Sequence, residues 1–280
     1  MEIVGAARVP IAIVRGWLPR DARVFQIVFL ALLLMTGVLL RDFSIQPMQV
    51  ALTFGAGLAT QVFWLKRLGL QQPGVLSAVV TCCGLSLLLR SDTLWVHPLV
   101  AAFAMSSKFV LRVHGKHLYN PANIGVIAAI TLLPGTWVSP GQWGSDLALA
   151  VWFLMLGTVV TQRAHRLDIS WLFLGAFLGL LALRVLLLGQ SWTIWWHQLG
   201  DGALLLFAFF MISDPMTIPN RREARIVYAL IVAVGAVLWQ YVLFRPNALI
   251  WSLFLLTPLV PLLDHWLPGA RFRWERSSAR

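Results

Sequence analysis

Apolar runs at 24–40, 46–65, 75–90, 95–111, 121–134, 145–162, 169–188, 201–212, 226–243 and 247–264 are separated by short breaks rich in Arg, Lys, Pro and Gly. The runs have helical lengths, and a hydrocarbon layer about 30 Å thick takes roughly 20 residues of helix to cross. Open strands are excluded there, because their backbone groups would go unpaired. The pattern predicts an all-α integral membrane protein of about ten transmembrane helices.

The breaks alternate in charge. One set carries Arg8, Arg15, Arg20 and Arg23, then Lys66 and Arg67, Arg112 and Lys116, Arg163 and Arg166, Arg221, Arg222 and Arg225, and Arg271, Arg273, Arg276 and Arg280. The other set carries only Arg41, Arg90 and Arg245. Basic loops stay in the cytoplasm, so an even number of crossings puts both termini there. The expected organisation is a basic cytoplasmic segment at 1–23, a single membrane domain at 24–265 and a basic cytoplasmic tail at 266–280.

Composition agrees with lipid as the solvent. The chain of 280 residues is 59% hydrophobic and 12% charged, more apolar surface than one soluble core of that size hides. A net charge of +11 raises nucleic acid as a partner, but the cations sit in clusters between apolar runs and form no basic face, so no nucleic acid is expected. Cys82 and Cys83 are adjacent within an apolar run, which gives neither zinc-ligand spacing nor a disulfide framework. No small-residue cleavage site follows the first run, so no removable signal peptide is expected.

Many of the fourteen Trp residues fall near span ends, among them Trp95, Trp137, Trp143, Trp192, Trp195, Trp196 and Trp266, where they read as headgroup-level anchors. Residues 190–200 are Trp-rich and too polar to span, which predicts a segment lying flat on the outer surface. Five helices per half allows an inverted repeat, with halves of about 24–134 and 145–265. Its traces are Ser91-Asp92 against Ser213-Asp214, and Pro121 to Asn123 against Pro246-Asn247.

Two Pro-broken segments are the candidate sites, because freed backbone groups in a membrane must face protein or a polar cavity. In Lys116-His117-Leu118-Tyr119-Asn120-Pro121-Ala122-Asn123, Asn120 can cap the fifth helix, whose first N–H groups suit an anion. The bland alternative is a well-capped helix behind a basic loop. In Ser213-Asp214-Pro215-Met216-Thr217-Ile218-Pro219, prolines end a short eighth helix, and Asp214 needs a partner or water. A surface ion pair with Arg221, Arg222 or Arg225 is the bland alternative there. Lys108 and Arg184 are expected to snorkel to an interface, and Asp146 and Asp201 to cap helices. No phosphate-binding glycine loop, nucleophile elbow or zinc-protease pair is present, so no catalytic residue or metal is expected.

The stretches SAVVT (77–81), KHLYNPANIG (116–125) and FFMISDPMT (209–217) resemble RnfD, the D-type membrane subunit of Rnf-type electron-transport complexes. They also resemble NqrB, the B-type subunit of sodium-pumping NADH:quinone reductases, and the small stand-alone UnbU-type relatives. The resemblance implies a redox subunit of the bacterial inner (cytoplasmic) membrane, working with redox partner proteins or other membrane subunits. It implies flavin, riboflavin or FMN, near Asn120, Pro121, Ala122, Asn123, Ser213, Asp214 and Pro215, with Lys116 and His117 as donors.

One departure bears on the cofactor. Larger members carry an SGAT-type segment for covalent FMN, and the corresponding loop here, PGTWVSPGQWGS, offers only Thr136 and Ser139 before Ser145. A noncovalent flavin is therefore expected, without covalent FMN. Two rivals remain open: a small-solute or ion channel or transporter with an inverted-repeat fold, and a structural subunit without cofactor.

Overall fold

The computed structural model describes residues 21–40, 45–70, 74–139 and 147–272. The expectations for Arg8, Arg15, Arg20, Arg41, Trp143, Ser145, Asp146, Arg273, Arg276 and Arg280 fall outside the described residues.

Every predicted run contains helix. In order these are α1 (Ala22–Leu40), α2 (Pro47–Arg67), α3 (Gly74–Leu88), α4 (Val96–Val110), α5 (Pro121–Leu132), α6 (Leu147–Arg163) and α7 (Leu167–Leu187). The second part holds α8 (Thr193–Leu199), α9 (Gly202–Leu206) continuing into a π-helical turn at Phe207–Met211, then α10 (Arg222–Tyr241), α11 (Ala248–Leu256) and α12 (Leu259–Trp266). Four of them, α1, α2, α7 and α10, are long and apolar enough to cross a bilayer singly, and α11 with α12, bent by 51°, makes a fifth span if taken together. The chain is a helical multi-pass membrane protein.

The expectation of uniform crossings needs correction at α3, α4, α5 and the α9 segment, whose 15, 15, 12 and 10 residues reach only about 15–22 Å at 1.5 Å per residue. Helix α3 stops at Leu88, where the pattern predicted helix to Arg90, and gives way to strand β1 (Leu89–Ser91). Two further strands, β2 (Arg112–Val113) and β3 (Lys116–His117), form a hairpin, and β4 (Thr136–Val138) follows α5. Strands β1 and β4 pair antiparallel, Leu89 opposite Val138 and Ser91 opposite Thr136, which supplies partners to backbone where α3 and α5 have ended. Arg90 does not sit in an open loop: its Nη1 donates to the Ser86 and Leu89 carbonyls at 2.9 and 2.8 Å, on the carbonyl end of α3. Thr136 is likewise engaged, its Oγ1 donating to Ala129 O at 2.9 Å and Leu133 O at 2.8 Å.

Helix α2 packs along α4 and α7 along α10, while α1 meets α3 and α6 meets the α9 segment. Helix α4 also packs on α5, α10 on α11, α1 on α6 and α5 on α11. Small residues permit the closest approach: a side chain at Gly57 of α2 would run into Cys82 Sγ, 2.5 Å from an ideal Cβ. This closure overturns the expectation that Lys108 snorkels outward. Ala101, Ala104, Met105 and Lys108 share the buried face of α4, and Lys108 Nζ donates to Ser77 O at 3.0 Å and Ser77 Oγ at 3.2 Å. Arg184 ends α7 as expected, bonded to Gln190 Oε1 at 2.6 Å and stacked over Tyr241. Trp95, Trp137, Trp192, Trp196 and Trp266 are exposed. Residues 193–199 form α8, none of them buried, hooked to α7 by Trp195 Nε1 donating to Leu178 O at 2.9 Å.

Candidate functional site

The hairpin sets the first half of the site. Its turn residues His114 and Gly115 both have positive φ, 47° and 76°, as a two-residue hairpin of matching twist requires. Arg112 pairs with His117, and Leu118 N–H closes the ladder on Leu111 O at 2.8 Å. Neighbours along a strand face opposite sides, so Lys116 and His117 diverge. Three residues on, Asn120 caps α5 as predicted, its Oδ1 accepting the Asn123 N–H at 3.1 Å, with Pro121 in the first helical turn.

The second half is the wide turn after α9. Ile212 N–H donates to Phe207 O at 3.0 Å, five residues back, and the helix then breaks at Ser213-Asp214-Pro215. Phe210 of this turn stacks on Phe29 of α1 with ring centres 4.8 Å apart, and Phe207 meets Phe173 of α7 at 5.0 Å. Contacts of this kind contribute about 0.5–1.5 kcal/mol each beyond buried area. Ser213 Oγ returns to Phe209 O at 2.5 Å, and Asp214 Oδ1 accepts the Met216 N–H at 3.0 Å.

The halves meet where Asn120 Nδ2 donates to Asp214 Oδ2 at 3.4 Å. Around this contact a cleft opens that holds His117, Asn120, Pro121, Ala122, Ser213, Asp214 and Pro215. Counted to its mouth it has about 990 Å³ of empty space, of which about 80 Å³ is wide enough for water to move in. Leu30, Leu87, Leu88, Phe209 and Phe210 make its apolar wall. Arg23, Gln26 and Thr81 share the lining, and the sequence pattern did not single them out as site residues. Thr81 closes the SAVVT motif, which was a usable signal, whereas Arg23 reads in sequence only as a topology signal.

Two anticipated residues stand elsewhere. Lys116 Nζ bonds Ile218 O at 2.5 Å and Asp264 Oδ2 at 2.9 Å, away from the cleft. The Asn123 amide faces α11, oriented to donate to Ile250 O at 3.2 Å and accept from Phe254 N–H at 3.3 Å. Among the described residues the surface ion pair considered for Asp214 is not formed: Arg225 pairs with Asp168 at 2.6 Å and Arg221 with Glu223 at 2.8 Å.

Burial, then the charges of Lys108, Arg112 and Arg271, push the His117 imidazole down to about 3, so it is neutral at physiological pH. Its Nδ1 is buried without a hydrogen-bond partner among the described residues. Burial raises the Asp214 carboxyl, opposed by the Met216 N–H and by Lys108 and Lys116. Burial also lowers the Lys116 ammonium, opposed by Asp264.

Two more clefts adjoin this one. On the hairpin side, a cavity of about 350 Å³ is lined by His114, Lys116, His117, Asp264, His265 and Arg271, so His117 belongs to both walls. At the opposite end of α9, a cavity of about 210 Å³ holds Asp201, Arg245 and Asn247 and shares Leu88, Leu206 and Met211 with the first. Asp201 caps α9 as predicted, accepting the Ala203 N–H at 2.9 Å. Among the described residues no group of His, Cys, Asp and Glu could hold a metal ion.

Known proteins offer an independent comparison. The chain is similar to the D-type subunit of the ion-translocating oxidoreductase complex of Actinobacillus pleuropneumoniae, 29% identical over 126 residues, 45% of this chain and 35% of that protein. The protein of the same name from Alcanivorax borkumensis is 30% identical over 149 residues, 50% of this chain and 40% of its own length. In Psychromonas ingrahamii the figure is 37% over 69 residues, 25% and 20% of the two chains. The matched stretches thus span well under half of these relatives' length. The profile of the NQR2, RnfD, RnfE family matches residues 138–273, which include the Ser213-Asp214-Pro215 turn, Asp264 and Arg271 but not Asn120. Over that stretch, from β4 through α12, the chain is similar to the NQR2, RnfD, RnfE family.

Proposed function

We propose that the chain is a flavin-binding electron-transfer subunit of a membrane oxidoreductase, with its site in the cleft where Asn120 meets Asp214. The observation that carries this reading is the convergence of two segments far apart in sequence on one cleft that is mostly apolar with a few aimed polar groups, the usual build of a cofactor pocket. The donor set fits a noncovalent flavin. The unpartnered Nδ1 of His117 and the amide of Asn120 suit the polar edge of a ring, and Leu30, Leu87, Phe209 and Phe210 suit its faces. The free width is small, so binding is coupled to outward rotation of wall side chains.

A bound flavin accepts and donates electrons, and the protein's part is position, field and exclusion of water. Asn120 and Asp214 hold the two halves in register. Lys108, one hydrogen bond behind the cleft residue Ser77, supplies a hydrogen-bond donor from within the bundle. In this reading the basic loops, the termini and the hairpin are cytoplasmic, in the bacterial inner membrane, and redox partner proteins dock there. The matching pairs α2 with α4 and α7 with α10, α4 with α5 and α10 with α11, support two inverted halves of about 24–134 and 145–265.

The test is optical and mass analysis of the detergent-purified full chain for released flavin. Flavin at near one per chain is the expected result; folded protein without any flavin defeats the reading.

A second reading is favoured by the third cleft. Only Leu88, Leu206 and Met211 are common to its wall and that of the first, so two vestibules face each other across an apolar constriction, as in a small-solute channel. Redox-independent solute uptake into proteoliposomes, lost when Met211 is enlarged to Trp, would select it.

A further inference from the structure

We propose that the cleft beneath the β2–β3 hairpin is a phosphate site, and that it takes the phosphate of a flavin nucleotide whose ring lies in the adjoining deep cleft. This rests on the flavin reading and sharpens it, since it selects FMN over riboflavin.

Among the described residues the lining of the hairpin cleft has more cations than anions: it presents Lys116 and Arg271 against the one carboxylate of Asp264, with His114 and His265 beside them. Lys116 is committed to Asp264, Ile218 O and Asn220 Oδ1, so among the described residues the lining Lys or Arg without a carboxylate partner is Arg271. A guanidinium presents five donors in a planar fork that matches a phosphate oxygen pair.

Two like charges are also drawn together here. Arg112 Nη2 donates to Gly115 O at 2.8 Å, and Arg271 Nη2 donates to the same carbonyl oxygen. One neutral acceptor thus holds two cations at the exposed tip of the hairpin. The turn is built for that approach, since a Cβ at Gly115 would stand 2.7 Å from Arg271 Nη1. An anion seated beside the pair removes their mutual repulsion, so the free protein stores a bias toward binding one.

His117 stands between this cleft and the deep one. It is only 7% exposed, its Nδ1 has no partner among the described residues, and it lines both clefts. A ligand with an apolar ring at one end and an anion at the other is the shape that two adjoining clefts of such unlike lining select, its linker passing beside His117. The hairpin cleft, at about 350 Å³ against about 80 Å³ of comparable free space in the deep cleft, has room for a hydrated phosphate.

The test uses the full chain in nanodiscs, freed of small molecules, titrated with FMN, with riboflavin and with inorganic phosphate. FMN is expected to bind at least about tenfold more tightly than riboflavin, and inorganic phosphate to compete with FMN but not with riboflavin. Arg271→Gln should bring FMN down to the riboflavin level without changing riboflavin itself, and Arg271→Lys should recover part of the difference. Equal affinity for the two flavins, untouched by Arg271→Gln, overturns the phosphate site and leaves the flavin reading standing. If neither flavin binds, while inorganic phosphate raises the melting temperature of the wild type and not of Arg271→Gln, the phosphate site stands and the flavin reading falls. Phosphate without effect in both assays overturns the proposal.

Discussion

Asn120 Nδ2 and Asp214 Oδ2 lie 3.4 Å apart across 94 residues of sequence, and this contact ties the first turn of α5 to the break that follows the π-helical turn. Asn120 serves both ends of the tie, because its Oδ1 also caps α5 through the Asn123 N–H. The carboxylate consequently sits at the positive end of a helix, where charge and cap reinforce each other.

The two duties of Asn120 separate by substitution. Asn120→Ser keeps a capping oxygen but is too short to reach Asp214, whereas Asn120→Ala loses both. Loss of a cap costs about 1 kcal/mol, so Asn120→Ala should melt several degrees below Asn120→Ser in detergent. Both should lose retained flavin to a similar extent. Asp214→Ala removes the charged member of the tie and should cut retained flavin about tenfold, measured by absorbance of the purified protein.

The salt bridge at the hairpin gives a stability prediction of opposite character. The Lys116 and Asp264 side chains are 9% and 17% exposed at 2.9 Å, and Asp264 also accepts the Asn220 N–H at 2.7 Å. Asp264→Asn strands a largely buried ammonium and should cost about 3 kcal/mol, read as a lowered melting temperature. Asp264→Asn with Lys116→Met, which removes the stranded charge, should recover much of the loss. No recovery would show that Asp264 acts through Asn220 alone.

How much of this could be read from sequence depended on the range of the signal. Asn120 before Pro121, Asp201 before Gly202 and the prolines after Asp214 are local instructions, and each produced the expected cap or break. Signals of this kind are legible because each acts within about one turn of its own chain. The partners were not. Lys116 finds Asp264 148 residues away, and β1 finds β4 across two helices, pairings that no local pattern encodes. Lys108 misled for a related reason: its place near the end of α4 suggested an interface, and only the packing of α2 and α3 over that face shows that it is enclosed.

Helix α6 offers a steric probe of the site. An ideal Cβ at Gly157 would lie 2.6 Å from Cγ and 2.8 Å from Cβ of Phe209, which belongs to the π-helical turn and lines the deep cleft. Gly157→Ala should force that turn to shift and cost about 1–3 kcal/mol. Because Ser213 bonds the Phe209 carbonyl, the shift should pass to Asp214 and lower retained flavin too. Thermal melts and flavin content, measured on one preparation, check both parts; loss of stability with full flavin retention would uncouple the turn from the site.

The pH dependence of stability tests the burial of His117. Its folded-state pKa of about 3 lies below the ordinary 6.5, so between these values the unfolded chain binds a proton that the folded one refuses. Stability from this residue is complete above about pH 6.5 and drains away as the pH falls toward 3. Over the full window the loss is on the order of 3–5 kcal/mol. Lys108, Arg112 and Arg271 contribute to the low value, while Asp214, whose carboxyl is raised by burial, takes up protons in the folded state and offsets part of the loss at the acid end. Asp214 titrates in the wild type and in a His117 variant alike, so comparing the two cancels that offset between about pH 6.5 and 3. There the wild type should lose melting temperature steadily, and His117→Gln, which keeps a polar group but cannot titrate, should follow a flatter curve. Parallel curves for the two proteins would mean that the imidazole is solvated in the folded state, and the wall it forms between the two clefts would then be open.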